Sequence, residues 1–85
     1  MILGRVTGSV VSTRKHDLLV GSKFMLIQHI EKDKLVDKYL IAVDQIGAGV
    51  GETVLVATGS AARLAISKEN APVDAAIVGI VDENR

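Results

Sequence analysis

The stretch DQIGAGVGETVLVATGSAARLA, residues 44–65, contains the features that decide the fold. Its central run, Glu52–Thr58, is rich in β-branched side chains and lies between two glycine-containing segments, which predicts a short strand. Gly59 breaks that strand. The helix formers that follow Ser60 predict a helix of about two turns, with Ser60 as its N-cap residue. The stretch therefore predicts a strand that leads directly into one short helix.

Further strands are predicted outside this stretch, because valine and isoleucine favour strands and dominate the apolar residues. They are Ile2–Thr13, Lys23–Glu31, Tyr39–Asp44 and Ala75–Asp82. Polar residues 14–22 predict a loop, charged residues 31–38 predict a solvated hairpin connection, and residues 70–72 end the helical region. Gly4 and Gly8 share one phase of the first strand, as expected where a strand bends or another backbone comes close. The predicted fold class is mostly β: a small, mostly antiparallel barrel of five strands with one short α-helix after the fourth, in a single domain of residues 1–85.

The composition predicts self-association. The chain has 85 residues, 48% of them hydrophobic, and no cysteine, and its mean hydropathy is +0.35. A domain of this size buries only about 60% of the surface that its unfolded chain exposes. Disulfides cannot compensate, and His16 and His29 alone do not predict a zinc site. Contact with further copies is the remaining way to cover the apolar surface.

Charge and aromatic content argue against several classes of function. The formal net charge is zero, and Phe24 and Tyr39 are the only aromatic residues, whereas nucleic-acid modules use basic faces and stacking rings. No apolar run reaches the roughly 18 residues of a membrane-spanning helix. Residues 1–5 lack the basic start of a secretory signal, so a cytoplasmic protein is expected. An oligonucleotide- or oligosaccharide-binding barrel and an enzyme remain as alternatives, although no cofactor site, metal site or catalytic cluster is predicted.

The glycine-rich segment 47–51 departs from the dinucleotide-binding fingerprint. Its third glycine comes one residue early, and a strand follows instead of the helix whose N-terminus would bind phosphate. Two interpretations remain: a tight turn that needs positive φ, or close approach of the backbone to another chain. The second is favoured, since Ala48 gains from its small size only where space is limited. Asp44 and Glu52 flank the segment and are expected near each other.

The segment Gly59–Arg63 carries no nucleophile motif. G-x-S-x-G is absent, so Ser60 is interpreted as a helix cap and not as a catalytic serine. Arg63 is predicted to be either a solvated charge or a bidentate partner of a carboxylate. The candidate carboxylates at strand ends are Asp44, Glu52, Asp74 and Asp82. They have no accompanying polar cluster, which argues against acid–base catalysis.

Three segments together, residues 44–52, 59–63 and 72–82, resemble the EutN/CcmL family in the family's order, and residues 4–13 fit as well. These are the vertex proteins of bacterial microcompartments, which include carboxysomes and the ethanolamine, propanediol and glycyl-radical organelles. The resemblance implies an OB-like barrel whose copies form a homopentamer. That ring would close the fivefold vertices of a cytoplasmic shell otherwise tiled by hexameric shell proteins.

The family is structural, so the resemblance implies no catalytic residue, cofactor, metal, nucleic acid or membrane partner. It does imply which positions matter for subunit packing and for the centre of the ring. These are Asp44, Gly47, Ala48, Gly49, Gly51, Glu52, Gly59, Ser60, Arg63, Asp74, Gly79 and Asp82.

Overall fold

The computed structural model describes residues 1–11, 16–67 and 72–82. Within them the chain forms β1 (Ile2–Val10), β2 (Lys23–Glu31), β3 (Lys34–Asp44), β4 (Thr53–Thr58), α1 (Ser60–Ala65) and β5 (Ala75–Val81), with a 3₁₀ turn at Asp17–Leu19. The strands close into a barrel in the order β1-β2-β3-β5-β4. The predicted mostly β barrel with one short helix after its fourth strand is confirmed.

The barrel closes through one parallel contact and four antiparallel ones. The parallel contact joins β3 to β5 over only two pairs, Val43 with Ala76 and Asp44 with Ile77. Among the described residues, the preceding part of β3 is paired with β2 and not with β5. β3 and β5 therefore diverge towards the start of β3.

Gly4 lets two strands of the barrel approach closely. A Cβ atom at this position would overlap the side chain of Ile27 and lie 2.9 Å from the carbonyl oxygen of Gln28. Gly8 follows a bulge in the pairing of β1 with β2, where a strand bends. The predicted roles of these two glycines are confirmed.

Two apolar clusters hold the fold together. Strand alternation points one phase of each strand into the barrel, and the helix covers a second, smaller cluster. The barrel core consists of Val6, Met25, Ile27, Ala42, Ala48, Val54, Val56, Ala75 and Ile77. The cluster under the helix consists of Val43, Ala62, Ile66, Val73 and Ala76. Burying one side chain of the size of valine or isoleucine stabilises the fold by about 1.5–3 kcal/mol.

The predicted hairpin connection over residues 31–38 is wrong, because most of it is strand. The turn between β2 and β3 consists of Lys32 and Asp33, whose φ angles are 52° and 64°. Two-residue hairpin turns of this kind require positive φ at both positions and usually contain Asn-Gly or Asp-Gly. Lys-Asp gives no such signal. The start of β3 was therefore predicted at Tyr39, whereas the strand begins at Lys34.

The ends of the other elements differ from the predicted ends by small amounts. β1 ends at Val10, and the predicted end at Thr13 lies outside the described residues, as do Asn70 and Ala71. β4 begins one residue later than predicted and β5 ends one residue earlier. The predicted loop after β1 contains the 3₁₀ turn, where Nδ1 of His16 accepts a hydrogen bond from the backbone N–H of Leu18 at 3.2 Å.

Candidate assembly surfaces

Asp44 organises the glycine-rich segment that follows β3. Its carboxylate is 3% exposed and accepts three backbone hydrogen bonds. The N–H groups of Ile46 and Gly47 donate to Oδ1 at 2.9 and 3.1 Å, and that of Ala48 donates to Oδ2 at 2.9 Å. Bonds from amides to a carboxylate are stronger than neutral ones. Asp44 therefore fixes the first half of the segment.

Glu52 holds the other end of the same segment. Its Oε1 accepts a hydrogen bond from the N–H of Gly49, and its own N–H donates to the carbonyl of Gly49 at 3.1 Å. The N–H of Gly51 donates to the carbonyl of Val6 at 2.8 Å. A phosphate-binding loop needs free amides directed at the ligand. Here these amides donate to acceptors within the chain, so they are not directed at an anion.

The glycines of this segment serve its backbone conformation. Gly47 and Gly51 have φ angles of +85° and +91°, where side chains are disfavoured. The tight-turn interpretation is therefore confirmed at these two positions. Ala48 is 4% exposed and belongs to the barrel core. The small size of Ala48 is therefore explained by the barrel's own core, so this residue gives no support to close approach of the segment's backbone to another chain.

The short helix is anchored differently from the sequence prediction. Gly59, at φ +64°, is the N-cap residue, no side chain caps the helix, and Ser60 is its first residue. The predicted cap at Ser60 is wrong because the chain turns from β4 into the helix at a positive φ that glycine adopts readily. Nη1 of Arg63 donates to the carbonyl of Val73 at 3.0 Å. This contact is neither of the two predicted roles, and it ties the helix to the segment before β5.

An apolar row crosses the outside of three adjacent strands. Leu3 of β1 pairs with Leu55 of β4, which pairs with Gly79 of β5. Leu55 is 38% exposed, and Leu3 and Gly79 are half-buried. A Cβ atom on Gly79 would lie 3.8 Å from Cδ1 of Leu55. These three residues, here called the row, form a continuous apolar strip on the barrel surface.

An open cleft of about 640 Å³ lies where β3 diverges from β5. Tyr39 and Ile41, which are 51% and 52% exposed, supply its apolar surface. The exposed residues Gly59 and Asp74 complete its other side. We call this surface the cleft. It is lined by Leu26, Tyr39, Leu40, Ile41, Thr58, Gly59, Asp74 and Ala75.

The predicted site residues thus fall into separate places. The carboxylates and glycines of residues 44–52 stabilise one loop, Gly59 and Asp74 line the cleft, Gly79 lies in the row, and Asp82 is exposed after β5. Sequence reasoning missed the apolar members of both surfaces, Leu3, Leu55, Tyr39 and Ile41. Their signal was an apolar residue in the outward phase of a strand.

Two features of the described part of the chain bear on alternative functions. Among its residues, no group of three or more histidine, cysteine or acidic side chains is placed to hold a metal ion. No helix within these same residues is long and apolar enough to span a bilayer.

A small closed barrel that exposes apolar side chains on two outer faces is typical of a subunit in a larger assembly. Residues 1–82 match the sequence model of the family described as "Ethanolamine utilisation protein EutN/carboxysome". The chain belongs to this EutN/CcmL family, as its resemblance implied.

Relatives and solved structures agree with this assignment. The chain is 46% identical over 83 residues to the carboxysome shell vertex protein CcmL of Thermosynechococcus vestitus, covering 96% of this chain and 84% of the relative. The structure of Gloeobacter violaceus CcmL superposes with a TM-score of 0.93 at 44% identity, covering 100% and 89% of the two chains. GrpN, a pentameric microcompartment shell protein from Rhodospirillum rubrum, superposes with a TM-score of 0.89 at 41% identity, covering 100% and 98%.

Proposed function

We propose that this chain is a structural subunit of a bacterial microcompartment shell, and that it forms homopentamers that occupy the fivefold vertices. The observation that carries the proposal is the similarity over nearly the full chain to relatives named as shell vertex proteins. The similarity to the pentameric GrpN structure, which spans the whole of this chain, supports the subunit number.

The surface of the single chain supports assembly on physical grounds. The row and the cleft expose apolar side chains on different strands of the barrel. Contiguous exposed apolar surface usually marks a contact with another macromolecule. In a cyclic ring each subunit buries two different patches, one against each neighbour. In a homopentamer, contacts between copies of this one chain would therefore cover both surfaces.

The partners that we propose are further copies of this chain and the hexameric shell proteins of the same cytoplasmic microcompartment. A structural role also fits the carboxylates that had been considered for catalysis. Asp44 and Glu52 accept backbone hydrogen bonds in the glycine-rich segment. A carboxylate held in this way stabilises a loop and is poorly placed to transfer protons to a substrate.

Shell closure tests this function. The chain is co-produced with a hexameric shell protein from the same organism, and the assemblies are imaged by electron microscopy. With the chain present we expect closed polyhedral shells, and without it open sheets or tubes, since hexamers alone tile flat surfaces. Equal amounts of closed shells with and without the chain would contradict a vertex role.

A further inference from the structure

We propose that residues 16–20, here called the His16 turn, form a pH-sensitive element of the surface. The neutral imidazole of His16 holds the turn against the apolar cluster under the helix, and protonation of that ring loosens it. This inference goes beyond the proposed shell function and does not depend on the homopentamer, because every contact that it uses lies within one chain.

A histidine side chain caps this turn. His16 is the N-cap residue of the 3₁₀ turn Asp17–Leu19, and its Nδ1 accepts a hydrogen bond from the backbone N–H of Leu18 at 3.2 Å. Caps are usually formed by the side-chain oxygen of serine, threonine, aspartate or asparagine. The cap in this turn differs because its acceptor is a ring nitrogen that takes up a proton under mild conditions.

Only the neutral form of His16 can make this hydrogen bond. In a neutral imidazole one nitrogen donates and the other accepts, whereas both nitrogens donate in the imidazolium. A proton on Nδ1 would face the N–H of Leu18, so an attraction would become a contact between two donors. Histidine ordinarily changes charge between about pH 5 and pH 8. The cap therefore stabilises the turn at the upper end of this range and is lost as the pH falls.

The His16 turn carries an apolar anchor. Leu19 is partly buried and packs against the cluster under the helix. Its backbone N–H donates to the carbonyl of His16 at 2.8 Å, and that of Val20 donates to the carbonyl of Asp17 at 3.2 Å. The capping bond and the anchor thus belong to one short hydrogen-bonded turn. Loss of the cap should weaken the packing of Leu19.

Release of the anchor would change the surface of the chain. Leu18 and Val20, on either side of Leu19, are 41% and 66% exposed. A released Leu19 would join them and give three consecutive exposed apolar side chains. Contiguous apolar surface promotes contact with other molecules. The barrel core contains no residue of this turn, so the response is confined to the surface and the cluster under the helix.

The charges around the turn leave the ring of His16 as the group that switches. Asp44 accepts backbone hydrogen bonds within its own loop, and Arg63 donates to the carbonyl of Val73. His16 is exposed, so solvent screens its interaction with more distant charges. The charged residues of the turn, and those next in sequence to the side chains that Leu19 packs against, are Asp17, Lys23, Asp44, Arg63 and Asp74.

Hydrogen exchange of the Leu19 amide, followed by NMR in the full chain, tests the proposal. The protection factor compares the observed exchange rate with the intrinsic rate at the same pH, so the intrinsic pH dependence cancels. We expect the protection factor to fall about fivefold between pH 8 and pH 5, which is the size of effect expected for the loss of one capping bond.

Three single variants assign the response to the cap. His16→Asn keeps an acceptor that does not titrate, so its Leu19 amide should be equally protected at both pH values. His16→Ala has no acceptor and should show the low protection at both. His29→Gln removes the other histidine of the chain, and it should keep the full response of the unchanged chain.

Three results would overturn the proposal. The first is equal protection of the Leu19 amide at pH 8 and pH 5 in the unchanged chain. The second is a pH response that persists in His16→Asn, because another group would then cause it. The third is a response that disappears in His29→Gln, which would assign the switch to the other histidine.

Discussion

The carboxylate of Asp44 accepts a hydrogen bond from the backbone N–H of Ala48 at 2.9 Å, while the methyl group of Ala48 packs in the barrel core. A buried carboxylate and a buried methyl group thus fix the same turn from two sides. The glycine-rich segment is held by the core, and its stability should depend on both residues.

Asp44→Ala should lower the free energy of unfolding by about 1–3 kcal/mol. The substitution removes the acceptor of three backbone hydrogen bonds, of which the one from Ala48 is buried, and an unsatisfied buried donor costs about 1–3 kcal/mol. Urea denaturation at one fixed protein concentration measures the change. Asp37→Ala, at an exposed position of β3, is the control and should stay within about 0.5 kcal/mol of the unchanged chain. Equal effects at both positions would show that Asp44 does not support the loop.

Ala48→Leu should destabilise the barrel itself by about 1–3 kcal/mol, because it overpacks a core position that is 4% exposed. Thermal unfolding followed by circular dichroism measures this effect. Val50→Leu, in the same segment but 66% exposed, should leave the melting temperature nearly unchanged. A folded Ala48→Leu chain of normal stability would show that the methyl group does not occupy the core.

Replacing Lys32-Asp33 by Asn-Gly should stabilise the hairpin between β2 and β3. Both native residues have positive φ, which costs about 1–2 kcal/mol for an ordinary residue, and Asn-Gly suits this turn. We expect a gain of about 1 kcal/mol in urea denaturation. Asp37→Gly, within β3, should lower stability instead. A loss of stability in the Asn-Gly variant would contradict the turn conformation.

Single-stranded DNA and RNA should not bind specifically. The net charge is zero, and of the two aromatic side chains only Tyr39 is mostly accessible, at 51%. Titration of labelled oligonucleotides at physiological salt tests this prediction. Sub-micromolar binding with a clear dependence on salt would favour an oligonucleotide-binding barrel.

The sequence predicted the barrel well, because most of its strands carry runs of valine and isoleucine that end at glycine or at polar residues. It missed the first part of β3, because the Lys-Asp turn lacks the glycine or asparagine that usually marks positive φ. A short helix after the fourth strand was predictable from its helix formers. Its cap was not, because Gly59 and Ser60 are both acceptable cap residues in sequence.

The candidate site was less predictable from sequence. A small residue in the sequence does not reveal whether its own chain or another chain limits the space around it. Ala48 is small because of the barrel's own core, whereas a Cβ atom at Gly79 would make only ordinary contacts with Leu55. Both residues give the same signal in sequence. Leu55 stands in a Val-Leu-Val run that suggests burial throughout, and only the pairing of β4 shows that it faces outward.

Native mass spectrometry of the unchanged chain at micromolar concentration tests the central claim most directly. The proposed ring predicts one dominant species of about 45 kDa, five times the 9.0 kDa chain. A stable folded monomer, a dimer of about 18 kDa or a hexamer of about 54 kDa would contradict a homopentameric vertex protein.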